Sequence, residues 1–182
     1  MLAVSRKLEH YLMKQILVFL ISTLLFTTIS CGQKKVIAKK NLITLKYAGL
    51  FGYGSNFKKG TGQIIIYPET DTTVLFYIES NRGAPSYSNG SMYERIKIVN
   101  DTGTFSMKKD YQQVGCQWSF KFYANKLSIE TINGRDECEF GYGVVADGNF
   151  KRKSNKILNS FVNMEGTRVY FKTTSPEKYN KE

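Results

Sequence analysis

Histidine, proline and long apolar segments are scarce in this chain of 182 residues. The single histidine is His10, and the chain has 3 Pro and 3 Cys against 15 Gly. The apolar stretch at residues 16–26 is too short to cross a bilayer as a helix, which needs about 20 residues. Few prolines, many glycines and 14% aromatic residues argue against disorder and favour one packed, turn-rich β domain.

The N-terminal segment has the pattern of a secretory signal peptide. Two start points are visible, Met1 and Met13, and the second is followed by a lysine, the apolar stretch and small residues before a cysteine. Ser22 and Thr23 interrupt the apolar stretch and leave no amphipathic face, which disfavours a buried core helix. We therefore predict that residues 1–30 are a signal peptide.

The sequence Thr28-Ile29-Ser30-Cys31 resembles the lipobox of bacterial lipoproteins, in a loose form similar to that of Bacteroidetes. The resemblance implies that cleavage leaves Cys31 as a lipid-modified N-terminus anchored in a membrane, and more than one acyl chain makes such an anchor effectively permanent. Residues 31–41 then comprise this cysteine and a basic tether, whose four lysines favour an anionic membrane surface. The tether lacks the acidic stretch that resembles a surface-export signal, which favours an outer-membrane protein facing the periplasm.

Signal cleavage changes the chemistry available to the chain. It would remove His10 and lower the formal net charge from +11 to +9, of which +5 belongs to the residues from position 42 onward. A chain without histidine has no Ser-His-Asp or Cys-His machinery, no histidine base and no histidine-ligated zinc or copper. We therefore expect no cofactor and no enzymatic activity. A mildly basic domain at an envelope address also makes nucleic acid an unexpected partner.

The two remaining cysteines, Cys116 and Cys138, form an even pair in an exported domain, which predicts a disulfide; a pair of free thiols is the alternative. Closing a loop of about 22 residues would stabilise the fold by roughly 3 kcal/mol. Simple register counting places the two positions about 10 Å apart on strands that flank a common neighbour. Residues 133–137 must therefore curl inward for the bond to form.

Residues 42–175 alternate between short β-type segments and turns. The clearest strand is 116–123, where Cys116, Trp118, Phe120 and Phe122 share one face. The same criteria predict strands at 42–47, 61–67, 73–78, 92–99, 104–107, 126–132, 140–145 and 149–151.

The last part of the domain admits two interpretations. Residues 154–173 fit either a short helix or a hairpin, and the alternation of Thr167, Val169 and Phe171 favours the hairpin. Residues 176–182 are expected to be a frayed basic tail.

Eight to ten short strands joined by tight turns predict an all-β antiparallel meander. An up-and-down barrel is favoured over a sandwich, because closure removes the exposed edges. The order resembles lipocalin-like barrels in layout. The region Cys116…Cys138-Glu139-Phe140-Gly141 is also similar to small disulfide-bonded domains of periplasmic lysozyme inhibitors, which implies inhibition of a cell-wall hydrolase. The basic charge disfavours a cationic lysozyme and favours an acidic hydrolase as the target.

The best candidate binding segment is the connection at residues 79–91, which is long for a chain of otherwise tight turns. In it, Arg82 offers a fork for carboxylate or phosphate and Tyr87 offers a flat amphipathic surface. Tyr93 would extend this surface from the next strand. The alternative is a long hairpin loop, pinned by Pro85, without a binding role.

An acidic cluster is the second candidate. Glu130, Asp136, Glu137 and Glu139 are close in sequence, and paired carboxylates cleave glycosidic bonds when one of them is buried. Their spacing is not that of an EF-hand calcium loop, so we expect no metal site. A solvated acidic face is the favoured interpretation.

These observations rank three classes of function. We favour a non-enzymatic envelope lipoprotein that binds a protein or envelope ligand through the loops of a disulfide-bonded β domain. The first alternative is a carrier of a small apolar ligand in a barrel cavity, and the inhibitor of a cell-wall hydrolase is a narrower version of the binding hypothesis. A carboxylate-based glycosidase comes last. The decisive question is whether the barrel interior is hollow or filled.

Overall fold

The structure is a computed structural model that describes residues 42–108 and 114–181. The predicted signal peptide, the lipobox-like sequence with Cys31 and the basic tether lie outside these residues. Among the helices of the described ranges, none has both the length and the apolar character needed to span a membrane.

Eight strands form a closed antiparallel barrel in which each strand pairs with the next one in sequence and the eighth pairs with the first. These strands are β1 (Gly49–Tyr53), β2 (Thr61–Pro68), β3 (Thr73–Asn81), β4 (Asn89–Val99), β5 (Thr102–Lys108), β6 (Val114–Phe122), β7 (Lys126–Asn133) and β8 (Gly148–Ser154). The preference for an up-and-down barrel over a sandwich is confirmed. The meander arises because antiparallel strands joined by short connections pair with their sequence neighbours.

Alternating side chains fill the barrel. In β6, Cys116, Trp118 and Phe120 are fully buried, whereas Gln117 and Ser119 between them are partly exposed. Other strands contribute further side chains that are wholly excluded from solvent: Phe51, Ile64, Ile66, Val74, Phe76, Ile78, Leu127 and Phe150. The interior is therefore a packed aromatic and aliphatic core.

A second layer covers the outside of β2, β3 and β4. It contains a hairpin of β9 (Ser160–Val162) and β10 (Arg168–Tyr170), which confirms the hairpin that the sequence favoured over a helix. Phe161 of the hairpin stacks on Tyr77 of β3 with ring centroids 3.8 Å apart. Seven buried residues form this outer cluster: Ile65, Leu75, Tyr77, Tyr93, Phe161, Val169 and Phe171.

Residues 176–181 do not form the frayed tail that the sequence predicted. Pro176–Tyr179 is a short α-helix, α1, whose N-terminus is capped by the Ser175 side chain. The hydrogen bond from Ser175, together with the ion pair to Arg95 of β4, holds the pKa of Glu177 at about 2. The sequence carries helix-start signals here, namely a serine cap followed by Pro176 and Glu177. A single turn is nevertheless too short to be stable without such tertiary contacts, which the sequence does not reveal.

Two predicted strands are wrong. The segment at 42–47 forms a 3₁₀ helix, Ile43–Tyr47, in which the buried Thr44 and Tyr47 are three residues apart, as the 3₁₀ period requires. The segment at 140–145 lies in the irregular connection between β7 and β8. In that connection Gly143 has φ +66°, which takes the chain out of the extended conformation.

The predicted disulfide is confirmed. Cys116 of β6 bonds to Cys138, and their Cα atoms are 4.8 Å apart. A 3₁₀ turn at Arg135–Glu137 carries the chain inward from the end of β7. This is the inward curl that register counting required.

Candidate functional site

The two ends of the barrel are built differently. At one end, which we call the tight end, the strands are joined by connections of two to four residues at 69–72, 100–101 and 123–125. At the other, the loop end, the described connections are 54–60, 82–88 and 134–147, and the last has 14 residues. Long connections on a rigid scaffold are where binding residues concentrate, so the loop end is the candidate site.

The tight end is closed by the 3₁₀ helix Ile43–Tyr47. Tyr47 is buried there, and its ring centroid lies 4.7 Å from that of Phe122. The Tyr47 hydroxyl and the Lys46 ammonium both donate to Oδ1 of Asp101, each at 2.7 Å. The contact with Lys46, followed by that with Tyr47, lowers the pKa of Asp101, and the Asp101 carboxylate raises the pKa of Lys46. These groups satisfy one another, so the tight end has a structural role.

The candidate loop is shorter than the sequence suggested. β3 continues to Asn81 and β4 begins at Asn89, so the connection is 82–88 and not 79–91. The buried Asn81 side chain shapes the loop, because its oxygen accepts from the Gly83 N–H at 2.8 Å and its nitrogen donates to Oδ1 of Asn89 at 2.6 Å. One amide thus fixes both ends of the loop.

The two loop residues singled out from the sequence, Arg82 and Tyr87, are both exposed at the loop end. Tyr87 stacks on Phe57 of the neighbouring connection, with ring centroids 5.7 Å apart. The Arg82 guanidinium lies 5.7 Å from the ring centroid of Tyr142 in the long connection. Each predicted residue therefore contacts an aromatic residue of a different loop.

Gly143 allows the approach of the long connection to Arg82. A Cβ atom at this glycine would lie 2.5 Å from Nη1 of Arg82, and the positive φ is strained for other residues. We call the set Phe57, Arg82, Tyr87 and Tyr142 the loop-end surface. It joins three connections through one stacked pair and one cation–π pair.

Tyr93 does not extend the loop-end surface. It is 1% exposed and lies in the outer cluster, where its hydroxyl donates to the Thr174 carbonyl at 2.7 Å. Its ring lies 5.0 Å from that of Phe161, and burial raises its pKa. Tyr93 thus helps to hold the C-terminal hairpin against the barrel.

The long connection also closes the core at the loop end. Phe140 packs edge-on against Trp118 with ring centroids 5.4 Å apart. A Cβ atom at Gly90 would lie 2.3 Å from the Phe140 ring, so only glycine leaves room for it. The Gly141 N–H donates to the Asn89 carbonyl at 3.0 Å. Together with the disulfide, these contacts anchor the connection on both sides.

The acidic residues singled out from the sequence lie at the surface where the structure describes their side chains. Glu130, Glu137 and Glu139 are exposed, and the side chain of Asp136 lies outside what the structure describes. No group of three or more metal-ligating side chains occurs among the residues described. The structure therefore agrees with a solvated acidic face.

Sequence reasoning missed two members of the loop-end surface, Phe57 and Tyr142. Phe57 is 55% exposed and Tyr142 is 86% exposed. Each lies in a glycine-containing stretch in which apolar and polar residues do not alternate as they do in a strand. An aromatic residue in such a stretch is the sequence signal that could have identified both. Buried and exposed aromatics otherwise look alike in a sequence.

Searches of protein-family models, of curated proteins and of solved structures find no match to this chain. The domain is a disulfide-bonded β-barrel, which is compatible with a non-enzymatic binding module. Its function is inferred from its own surface chemistry.

Proposed function

We propose that this protein is a lipid-anchored envelope protein that binds an acidic protein surface, without catalysis, through its loop-end surface. The observation that carries this proposal is the contact of three loops through exposed aromatic and arginine side chains. Tyrosine, phenylalanine and arginine are the residue types enriched in protein interfaces and in their hot spots.

Charge indicates the kind of partner. Arg82, Lys58 and Lys59 are all exposed at the loop end, and the connections 54–60 and 82–88 contain no acidic residue, whereas the connection 134–147 contains four. The basic part of the loop-end surface is therefore the side formed by the connections 54–60 and 82–88. A cluster of cations around aromatic anchors accelerates association with a negatively charged surface and disfavours cationic partners. An acidic protein of the envelope, including an acidic cell-wall hydrolase, has the required complementarity.

The second part of the proposal is the lipid anchor at Cys31. Cleavage before Cys31 and acylation of its thiol would attach the domain to a membrane through the basic tether. Replacing Cys31 by alanine should abolish incorporation of radiolabelled palmitate in cells and release the protein from the membrane fraction. Continued labelling of this variant, or wild-type protein without label, would contradict lipid anchoring.

The packed interior weighs against the carrier alternative. Trp118, Phe76 and Phe120 fill the barrel and are fully buried, so an apolar ligand inside would have to displace core side chains. Such displacement costs several kcal/mol for each large side chain. A surface-binding role requires no such rearrangement.

Site-specific photocrosslinking in cells tests the loop-end surface. A photoreactive phenylalanine analogue at Tyr142 should capture one defined partner band, whereas the same analogue at Tyr123, an exposed aromatic of the tight end, should not. The double substitution Arg82→Ala, Tyr87→Ala should reduce the captured band by about tenfold or more. Equal capture from both ends, or capture that survives the double substitution, would refute the proposed surface.

A further inference from the structure

A groove of about 500 Å³ lies on the outer wall of the barrel, beside the loop end. Phe57 of the connection 54–60 and Met164, in the turn of the C-terminal hairpin, both line it. Gln63 and Glu79 face it from the outside of β2 and β3, because their strand neighbours Ile64 and Ile78 belong to the interior. We call this feature the outer groove.

The polar side chains of the outer groove are held in fixed positions. Nε2 of Gln63 donates to Oε2 of Glu79 at 2.8 Å, and the buried Tyr77 hydroxyl donates to Oε1 of the same carboxylate at 2.5 Å. Asn81 and Asn89, joined by their own side-chain hydrogen bond, line the groove next to this pair. The groove therefore presents preorganised planar groups that offer both donors and acceptors.

An aromatic ring stands beside these polar groups. Phe57 lines the groove, while Tyr87, which stacks on it, does not. Tyr87 thus supports the ring from one side. The lining includes Gly52 of β1, and Lys153 of β8 lies beside it, 3.8 Å from the position that a Gly52 Cβ would occupy.

The chemistry of the groove selects among ligand classes. The floor consists of β1, β2 and β3, whose backbone groups are paired with each other, so an extended peptide cannot add to the sheet there. A purely apolar ligand would cover the amide and carboxylate groups. It would remove the hydrogen bonds that these groups make to water and would offer none in their place. A sugar chain satisfies both requirements, because its hydroxyls donate and accept and its apolar ring face packs on an aromatic side chain.

We propose that the outer groove is a binding site for a short oligosaccharide. Glu79 and the amides of Gln63 and Asn89 would bind sugar hydroxyls, the buried Asn81 would hold Asn89 in place, and Phe57 would pack against a ring face. The volume is within the range of pockets that hold small organic ligands. This site is separate from the protein-binding role of the loop-end surface and shares only Phe57 with it.

Isothermal titration of the full-length protein in detergent micelles tests the proposal, with chitotetraose, cellotetraose and maltotetraose as probes. At least one tetrasaccharide should bind saturably. Gln63→Ala and Phe57→Ala should each weaken that binding by about tenfold, the loss typical of a removed hydrogen bond or stacking contact. Tyr123→Ala, which removes an exposed aromatic at the tight end, should bind as the wild type does.

Two results would overturn the proposal: none of the three sugars binds, or binding persists unchanged in both groove variants. Gln63 and Phe57 are exposed, so their replacement should leave the melting temperature unchanged, and a thermal scan of each variant checks this. Gln63→Ala also separates the two sites. It should weaken sugar binding by about tenfold while leaving photocrosslinking from Tyr142 intact, so either proposal can fail without the other.

Discussion

The tight end and the loop end of this barrel are formed by the same eight strands, yet the loop end brings exposed aromatic residues of different connections together, whereas at the tight end the exposed ring of Tyr123 stands apart from the buried ones. At the tight end, Tyr47 and Phe122 are 6% and 5% exposed and pack against each other. At the loop end, Phe57 and Tyr142 are 55% and 86% exposed. Buried aromatic residues such as Tyr47 and Phe122 stabilise the fold. A cluster of exposed aromatic residues adds little to the stability of the fold and is typical of a binding surface.

The ends also differ in how their connections are held. Short turns and the hydrogen bonds of Asp101 close the tight end, where β4 and β5 pair over residues 97–99 and 102–104. The 14-residue connection of the loop end is held by a covalent bond from Cys138 and by the packing of Phe140. A long connection needs such anchors because it cannot be fixed by local turn hydrogen bonds alone.

Truncating one aromatic at each end gives the largest expected difference. Phe122→Ala should lower the free energy of unfolding by about 3 kcal/mol or more, because it removes a buried ring and leaves a cavity under Tyr47. Tyr142→Ala should change it by less than about 0.5 kcal/mol, because that ring is exposed. Urea unfolding followed by circular dichroism measures both values.

The ratio of the two effects is the informative quantity. Tyr123→Ala, an exposed aromatic at the tight end, serves as the control and should behave like Tyr142→Ala. If Tyr142→Ala destabilised the protein as much as Phe122→Ala, the loop-end aromatics would be structural and the contrast between the ends would disappear.

Removing the disulfide should have the next largest effect. Replacing Cys116 and Cys138 together by alanine should cost roughly 3 kcal/mol, the value for a loop closed over 22 residues. The damage should be local, because the bond anchors the connection 134–147. Limited proteolysis should therefore cut this connection first in the variant, while the turn at 100–101 stays resistant. Cleavage at both ends at equal rates would show that the bond stabilises the whole barrel evenly.

Much of the barrel could be predicted from the sequence because its strands alternate. Trp118 and Phe120 lie on the predicted inward face of β6, and the Asn133-Gly134 turn signal marks the end of β7. The predicted strand at 140–145 failed because the disulfide and Gly143 hold that stretch in an irregular path. Such a constraint acts through tertiary structure and leaves no local pattern.

The candidate site was predicted only in part, for a similar reason. Arg82 and Tyr87 were identified because they lie in a polar connection between two clear strands. Glu79 was assigned to the same loop, although it pairs within β3, because a polar residue on the outer face of a strand looks like a loop residue. Tyr93 was placed at the surface because nothing in its own strand reveals the C-terminal hairpin that buries it.

The smallest expected effect concerns the charge of Asp101. Asp101→Asn keeps a side chain that tolerates the positive φ of this turn but removes the ion pair with Lys46. The folded pKa of Asp101 is lowered, first by Lys46 and then by Tyr47. Its charge therefore adds stability that is fully present above the unfolded pKa near 3.8 and is lost as the pH falls through the lower folded value.

The melting temperature of wild type minus that of Asp101→Asn should thus be small, positive and constant from about pH 5 to pH 9, and it should shrink toward pH 2. At high pH this difference in melting temperature should shrink again. The pKa of Lys46 is raised, so the ion pair between Lys46 and Asp101 is lost only as the pH rises through that raised pKa.

Glu130→Gln, which removes an exposed carboxylate of β7, controls for general charge effects. Arg82→Ala provides the contrast from the loop end: its guanidinium lies against the Tyr142 ring, a contact that involves no carboxylate, so its difference from wild type should stay flat down to about pH 3. A pH-dependent difference for Arg82→Ala, or a flat one for Asp101→Asn, would mean that electrostatic closure is not what separates the two ends.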